Sequence, residues 1–542
     1  MSSLFIKPNA EQMVVMDAVA AADKEVLAIN ALAGTGKTTT LTLLAKGPLL
    51  NSKIQYITFN ARAAADGRRR FGQNTTASTA HSHAWRSFYP GTTKTMSEVF
   101  GPRLVQTSLF GEMAQAAADD SRLRRSFTAV VRALHLERAG WRAGISPLLQ
   151  VLDEFMKSSE LRICRSNIPT AIVTLAFRMH AMEQLDVLVS EAQKLWDRQI
   201  DATSTLPIPH GLYLKLSSLS PQPFNADVVL FDEAQDASAP MLAIIEAHVA
   251  NGGRLIMVGD KHQHIYAWAG ALNAIDAIAE KYTERSLILP LCQSYRFGQD
   301  IADAGNIFLE AMGADYQLVG LGPQGRATEH GDTKTILFRS NVKMIMEILA
   351  TQKKDPTKKT HVVGGTKEMV SALNDLSNLY SGKIPKGGEL AGFADWSELK
   401  SFAETPLDAS YSPLVNLVER LRGSVGGIIA GLRKNETRPE KADIILSTVH
   451  KAKGAQWGSV KLSEEFQNVW DTTKIVDAKT QVEYFTLPEP EELALQYVAA
   501  TRAETLLAHR GLLPKVQDRL RMIRNKEPIQ RPVVQPSRRQ VS

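Results

Sequence analysis

One stretch, Val26–Thr40 (VLAINALAGTGKTTT), leaves the chain few folds to choose from. Its apolar run Val26–Asn30 reads as a buried strand. The run empties into a glycine-rich turn, and Lys37 then opens a helix of small and apolar residues. Strand, tight turn and helix in that order suit a phosphate-binding loop. Gly34 and Gly36 let backbone N–H groups converge on phosphate oxygens, and the helix N-terminus adds a favourable dipole. The candidate cradle is Ala33, Gly34, Thr35, Gly36, Lys37, Thr38 and Thr39. Lys37 is placed to reach β- and γ-phosphates, and the Thr38 hydroxyl to ligate Mg²⁺. The usual G-x-x-x-x-G-K-[ST] pattern has glycine where this chain has Ala31. On this segment alone, an ordinary strand–helix turn with a surface lysine stays open.

A second segment narrows the choice. Asp227–Asp236 reads DVVLFDEAQD, so Val228–Phe231 is another buried strand, ending in two acids. Asp232 is placed to hold Mg²⁺, directly or through water. Glu233 is placed to orient and deprotonate an attacking water. Alone, the acidic pair would be a solvated strand end; with the phosphate loop it points to ATP or another nucleoside triphosphate.

Composition permits this and adds little. A length of 542 residues suits two to four domains. Hydrophobic content of 44% with 22% charged residues is that of a globular chain. The net charge of +6 mildly favours an anionic partner such as nucleic acid. Cys164 and Cys292 are the only cysteines, which argues against a disulfide framework or a Cys-based metal site. The N-terminal residues lack a signal-peptide layout, and no apolar run reaches the ~20 residues of a membrane span. A reducing, cytoplasmic compartment is the expectation, with a nucleoid, a nucleus or a phage host's cytoplasm as variants.

Strand and helix signals alternate in two blocks, which favours parallel sheets covered by helices. The first block has a helix over Glu11–Ala22, strands at Val26 and Ile54–Phe59, a basic helix Ala61–Arg70, and strands at Val228, Arg254–Val258 and Leu287–Leu291. The second has strands Thr335–Phe338, His361–Val363, Ile444–Leu446 and Val460–Leu462, a helix Glu491–Ala503 and a closing strand Thr505–Ala508. The expected organisation is a first α/β domain over 1–84 and 225–290, with a helical insertion at 85–224. A second α/β domain covers 291–373 and 442–524, with a short insertion at 374–441, and 525–542 reads as a disordered basic tail.

Further segments carry a family resemblance. They are NAEQ with Gln12, ITFNARAA (Ile57–Ala64), TAHSHAW (Thr79–Trp85) and VGDKHQHIYAWAGA (Val258–Ala271). LCQSYRFGQDIADAGN (Leu291–Asn306), STVHKAKGAQW (Ser447–Trp457) and QYVAATRAE (Gln496–Glu504) follow. With DEAQD, these resemble in order the motifs of superfamily 1 DNA helicases of the UvrD/Rep type, most like the F-box DNA helicase branch but without an F-box segment.

The resemblance implies two RecA-like parallel-sheet motor domains that sandwich ATP and Mg²⁺. Gln12 would read the adenine edge and Tyr295 would stack on the ring. Gln263 would sense the γ-phosphate, and the second domain would deliver Arg296 and Arg502 as arginine fingers. Single-stranded and tailed duplex DNA would be the partners of a monomeric 3′→5′ motor, with no membrane and no identified protein partner. Phe59, Tyr266 and Trp268 would stack bases or line the strand path, and Asn60, His81, Ser82 and His450 would supply polar contacts. Arg62, Arg68, Arg69 and Arg70 are candidates for phosphates, or a solvated helix face.

Some positions depart from the family pattern. Ala269 stands where arginine is common, Ala455-Gln456 where Leu-Glu is usual, and Phe297 where serine is common. Gln456 is expected to alter a contact with the nucleotide sugar. Three alternatives remain: a translocase that strips proteins from single strands, a non-catalytic nucleic-acid-binding protein, and a P-loop kinase or metabolic NTPase. Intact Lys37, Asp232, Glu233, Arg296 and Arg502 argue against the second, and the late motifs against the third.

Overall fold

Alternation along Val26–Ala31 sends side chains to two faces of one sheet. Val26 and Ala28 enter one apolar core, while Leu27, Ile29 and Ala31 enter another. In the computed structural model this strand (β1) lies inside a six-stranded sheet. Its companions are Ile54–Thr58 (β2), Thr75–Thr79 (β3), Val228–Asp232 (β4), Arg254–Gly259 (β5) and Ser286–Leu291 (β6). All pairings in it are parallel, in the order β3-β2-β4-β5-β1-β6. The described residues are 7–105, 109–137, 141–267, 270–383, 390, 393, 395–403, 412–422, 425–434 and 436–529.

A second six-stranded parallel sheet contains Arg326–Thr328 (β7), Thr335–Phe338 (β8), Thr360–Val362 (β9), Ile444–Thr448 (β10), Trp457–Leu462 (β11) and Ala503–Ala508 (β12). Its order is β7-β12-β11-β8-β10-β9. Both sheets carry helices on their faces, so the expected α/β class with two RecA-like sheets holds.

Four helices position the first site. They are α1 (Ala10–Ala21), α2 (Lys37–Lys46), α3 (Ala61–Arg70) and α4 (Ala80–Arg86). Asn9 and Gln12 form a reciprocal capping box at the start of α1. Between α4 and β4 the described chain is built of helices. Their apolar faces, with Phe127, Phe155 and Trp196, form one core with Val26, Ile57 and Phe231 of the first sheet. The helices Trp396–Ala403, Ser412–Arg420 and Gly426–Lys434 share a core with Ile336, Phe338 and Leu446 of the second sheet.

Several sequence expectations need correction. Strand β3 was not expected, because TTAST is polar; it lies at the sheet edge, where Ala77, Ser78 and Thr79 are nonetheless buried. The expected helix through Ala503 ends at Ala500, since Ala503 begins β12. Boundaries placed at 84/85, 290/291 and 373/374 fall inside α4, β6 and the helix Lys367–Tyr380. Of the expected tail, 525–529 includes Pro528 bridged to Tyr484 and Ile529 N–H donating to the Glu483 carbonyl, while 530–542 lies outside the described residues. No helix among the described residues is long and apolar enough to cross a membrane.

Candidate functional site

The turn after β1 adopts the geometry that its glycines permit. Gly34 and Gly36 have φ of +78° and +84°, in the left-handed region that a Cβ disfavours. Space matters as much at Gly34: a Cβ there would lie 2.7 Å from the Arg296 Cβ. The second domain therefore packs directly on the phosphate loop, and the Tyr295 N–H donates to the Gly34 carbonyl. Ala31, the departure from the usual pattern, is the last residue of β1, in extended backbone where a methyl group is accommodated.

Lys37 opens α2 and lies folded back on its own loop. Its Nζ donates to the Leu32 carbonyl at 3.0 Å and stands 3.9 Å from Asp260 Oδ2. Burial lowers its pKa, against the opposing charges of Asp260 and Glu233. The Thr38 hydroxyl donates to Asp232 Oδ2 at 3.1 Å, and Tyr56 OH donates to the same oxygen at 2.7 Å. Asp232 Oδ1 accepts from the Glu233 N–H. Burial and the neighbouring Glu233 raise the Asp232 carboxyl. Glu233 moves the other way: burial alone would raise it, but Lys37 and Lys453 hold it below the usual carboxylate range. Glu233 also has φ of +55°, unusual for a non-glycine residue and consistent with a strained working position.

These groups suit a nucleotide with Mg²⁺. The Thr38 hydroxyl and the Asp232 carboxylate are hard oxygen donors, already one hydrogen bond apart. Mg²⁺ is commonly held by one or two carboxylates plus phosphate and water. Backbone N–H groups and Lys37 supply the complementary positive field.

The second domain closes the other side. Arg296 Nη1 donates to the Thr501 carbonyl and its Nε to Gln456 Oε1, both at 2.9 Å. Gln456, expected to alter a contact with the nucleotide sugar, accepts from the arginine in this structure and donates onward to Glu504. Arg502 is almost fully buried and donates to Gln263 Oε1 at 3.4 Å and to the Val498 carbonyl. Burial and the nearby Arg296 push it down to about 9. Phe297 is a core residue of the second domain.

Gln12 is buried, and its Nε2 donates to Thr40 Oγ1 beside the loop. Tyr295 is 49% exposed, so it is not a core tyrosine, and its OH accepts from Asn9 Nδ2. Exposure leaves the ring available for stacking next to Gln12.

Four functional residues escaped the sequence reading. Tyr56 steadies Asp232 from β2. Asp260, at the end of β5, accepts from Gln263 Nε2 at 2.7 Å and from the hydroxyl of Tyr497 at 3.2 Å. Tyr497, from the helix Pro490–Ala500, also accepts from the Ala33 N–H at 3.1 Å, linking the second domain to the phosphate loop. Lys453 donates to Asp236 and to the Gln263 carbonyl, both at 2.7 Å, and lies 4.9 Å from the Tyr266 ring centre. Only Asp260 had a readable signal: an apolar strand ending in an acid, as at Asp232. Lys453 and Tyr497 sit in matched motifs, yet nothing in their spacing marks an interdomain contact.

The candidate strand path is partly assembled. Phe59 is 41% exposed and stacks on Tyr266 with ring centres 5.8 Å apart. The Tyr266 OH donates to the His450 carbonyl. Ser82 is half-buried and its Oγ accepts from Thr79 Oγ1. Four other polar candidates make contacts within the fold. The Asn60 side chain caps α3 by accepting from the Ala63 N–H. His81 packs edge-on against Tyr213 of the inserted helices, and burial lowers it to about 4. Arg68 donates to the Ala77 carbonyl, and Arg69 pairs with Asp66. Trp268 and Ala269 lie outside the described residues.

The chain is similar in sequence to several known proteins. Residues 16–269 match a family model described as an AAA domain. F-box DNA helicase 1 of Gallus gallus is 27% identical over 513 residues, covering 89% of this chain and 47% of that protein. F-box DNA helicase protein 1 of Schizosaccharomyces pombe is 27% identical over 542 residues, covering 91% of this chain and 56% of that protein. A probable DNA helicase II homolog of Mycoplasma capricolum is 34% identical over 84 residues, 16% of this chain and 12% of its own length. The chain spans about half the length of the two F-box helicases. The similarity to these two F-box DNA helicases thus extends over about nine-tenths of the chain.

Proposed function

We propose that this chain, a relative of UvrD-like superfamily 1 helicases, is an ATP-driven DNA helicase or single-strand translocase that moves 3′→5′. The observation that carries this reading is convergence. Lys37, Thr38, Asp232 and Glu233 from the first domain meet Arg296, Arg502 and Tyr497 from the second across one cleft. Phosphoryl transfer needs positioning and charge stabilisation more than covalent chemistry.

In the proposed reaction Glu233 takes a proton from the attacking water, whose oxygen bonds to the γ-phosphorus as the bond to ADP breaks. The Lys37 and Lys453 charges favour its ionised form, the form that can accept a proton. Lys37 and the two arginines stabilise charge on the transferring group. Mg²⁺, held by Thr38 and Asp232, would neutralise phosphate charge when bound. Gln263 contacts both Asp260 and Arg502, so it stands where the phosphate state can be transmitted between domains. The Phe59–Tyr266 stack offers a base platform, and Lys453 connects it to Gln263 and Asp236. Hydrolysis and strand movement are then coupled through domain closure.

Strand displacement on 3′- and 5′-tailed duplexes tests the proposal, with Glu233→Gln as control. The wild type should unwind the 3′-tailed substrate with ATP. The variant should bind ATP but turn over roughly 10²–10⁴-fold more slowly. ATP hydrolysis that single-stranded DNA does not stimulate would refute the motor reading.

A further inference from the structure

The strand path inferred above ends at Ser82, near the start of α4. Helix α4 packs on the inserted helix His210–Leu219 through His81 and Trp85, which meet Tyr213, and on the segment after it through His83, which meets Phe224. Ser82 and Arg86 are four residues apart and so share the other stripe of the helix, about 6 Å from one another along its axis. Arg86 is exposed and has no ion-pair partner among the described residues.

Just beyond α4, a small turn presents an aromatic ring. Phe88 bridges Thr95, the Met96 N–H donates to the Ser87 carbonyl, and Gly91 at φ +75° closes the turn. The next residue, Tyr89, pins the turn to the insertion by donating to the Ile200 carbonyl. Held this way, Phe88 remains 69% exposed. The exposed ring gains meaning from its setting, beside the Arg86 guanidinium at the rim of one cavity.

Phe88 and Arg86 flank a cavity of about 730 Å³, lined also by Thr92, Ser217 and Gln222 and by no acidic residue. Lys94 lies on the same turn. The lining combines a cation, a stacking surface and hydroxyl and amide groups, which is the chemistry of single-strand nucleic-acid sites. The cavity also lies at the far end of the helix that leaves the β2–β3 edge, where Phe59 and Ser82 are. A peptide would need an apolar or acidic match of its own; a nucleic-acid strand already passing Ser82 needs only to continue.

We propose that this cavity holds one further nucleotide of single-stranded DNA, with Arg86 at its phosphate and Phe88 against its base. The proposal rests on the strand path inferred under Proposed function and lengthens it into the insertion.

Binding of labelled oligodeoxythymidylates of increasing length to the full chain tests it, at several salt concentrations. Phe88→Ala should weaken the longer oligomers by roughly 5- to 150-fold, with Phe88→Trp restoring them. Arg86→Ala should lower the slope of log affinity against log salt by about 0.7, the value for one single-strand phosphate contact. The shortest oligomers that bind should fill the Phe59–Tyr266 end and be insensitive to both changes. Unchanged binding of long oligomers, or an equal loss at every length, would overturn the proposal while leaving the motor reading intact. A wild-type chain that binds none of the oligomers would overturn both.

Discussion

Tyr497→Phe offers a test of how the two domains are joined at the nucleotide site. Phenylalanine keeps the ring in the second-domain core, where Tyr497 is fully buried. It removes one hydroxyl with two partners, the Ala33 N–H at 3.1 Å and Asp260 Oδ2 at 3.2 Å. Asp260 retains the Gln263 amide, so its loss is partial. The Ala33 N–H is left without that acceptor in a buried place, a penalty of about 1–3 kcal/mol. Taking about 2 kcal/mol, the ratio of closed to open domains should fall roughly 30-fold. Steady-state ATP hydrolysis on saturating single-stranded DNA, with fluorescence energy transfer between labels on the two domains, would read this. Turnover should fall by about an order of magnitude, and the labels should separate. Wild-type turnover and transfer in a folded Tyr497→Phe protein would show that the hydroxyl does not hold the domains together.

Other expectations follow from the same contacts. Lys37→Ala should abolish DNA-stimulated hydrolysis in a protein that still folds, because Nζ supplies positive charge at the phosphate loop and packs no apolar core; turnover assays on the folded variant check this. Lys453→Met should cost about 3–5 kcal/mol of stability by stranding Asp236, and adding Asp236→Asn should recover part of it in a double-mutant cycle. Acid should loosen the seam between α4 and the insertion. Burial holds His81 and His83 at about 4, against 6.5 in an unfolded chain. The unfolded state therefore binds more protons within that window, and stability falls as pH drops from 6.5 toward 4, by at most about 3 kcal/mol per ring. Melting curves across that range should flatten in a His81→Phe/His83→Phe double variant.

Legibility in the sequence followed physical type. Strands with two buried faces, such as Val26–Ala31 and Val228–Asp232, announce themselves as apolar runs, and so the α/β class was readable. The edge strand Thr75–Thr79 was not, since an edge position does not demand an apolar run. Lys37, Thr38, Asp232 and Glu233 were readable because strand ends and a glycine turn place them locally. Tyr497 and Lys453 act across more than two hundred residues of chain and Gln456 across 160, and no local spacing encodes such a partner. His81 and Asn60 have roles that the motifs do not announce: their side chains pack on Tyr213 and cap α3.

The apolar cluster of the second domain does not end at the domain border. Leu32, Ala33 and Ile265 from the first domain belong to it. Every opening of the cleft must wet that seam, and the seam tends to pull the halves together again. The chain thus has a built-in restoring force that needs no fuel. Because apolar association weakens on cooling, that force is softest in the cold. The motor proposed above should therefore spend a growing share of its cycle agape as temperature drops, independently of how fast its chemistry runs.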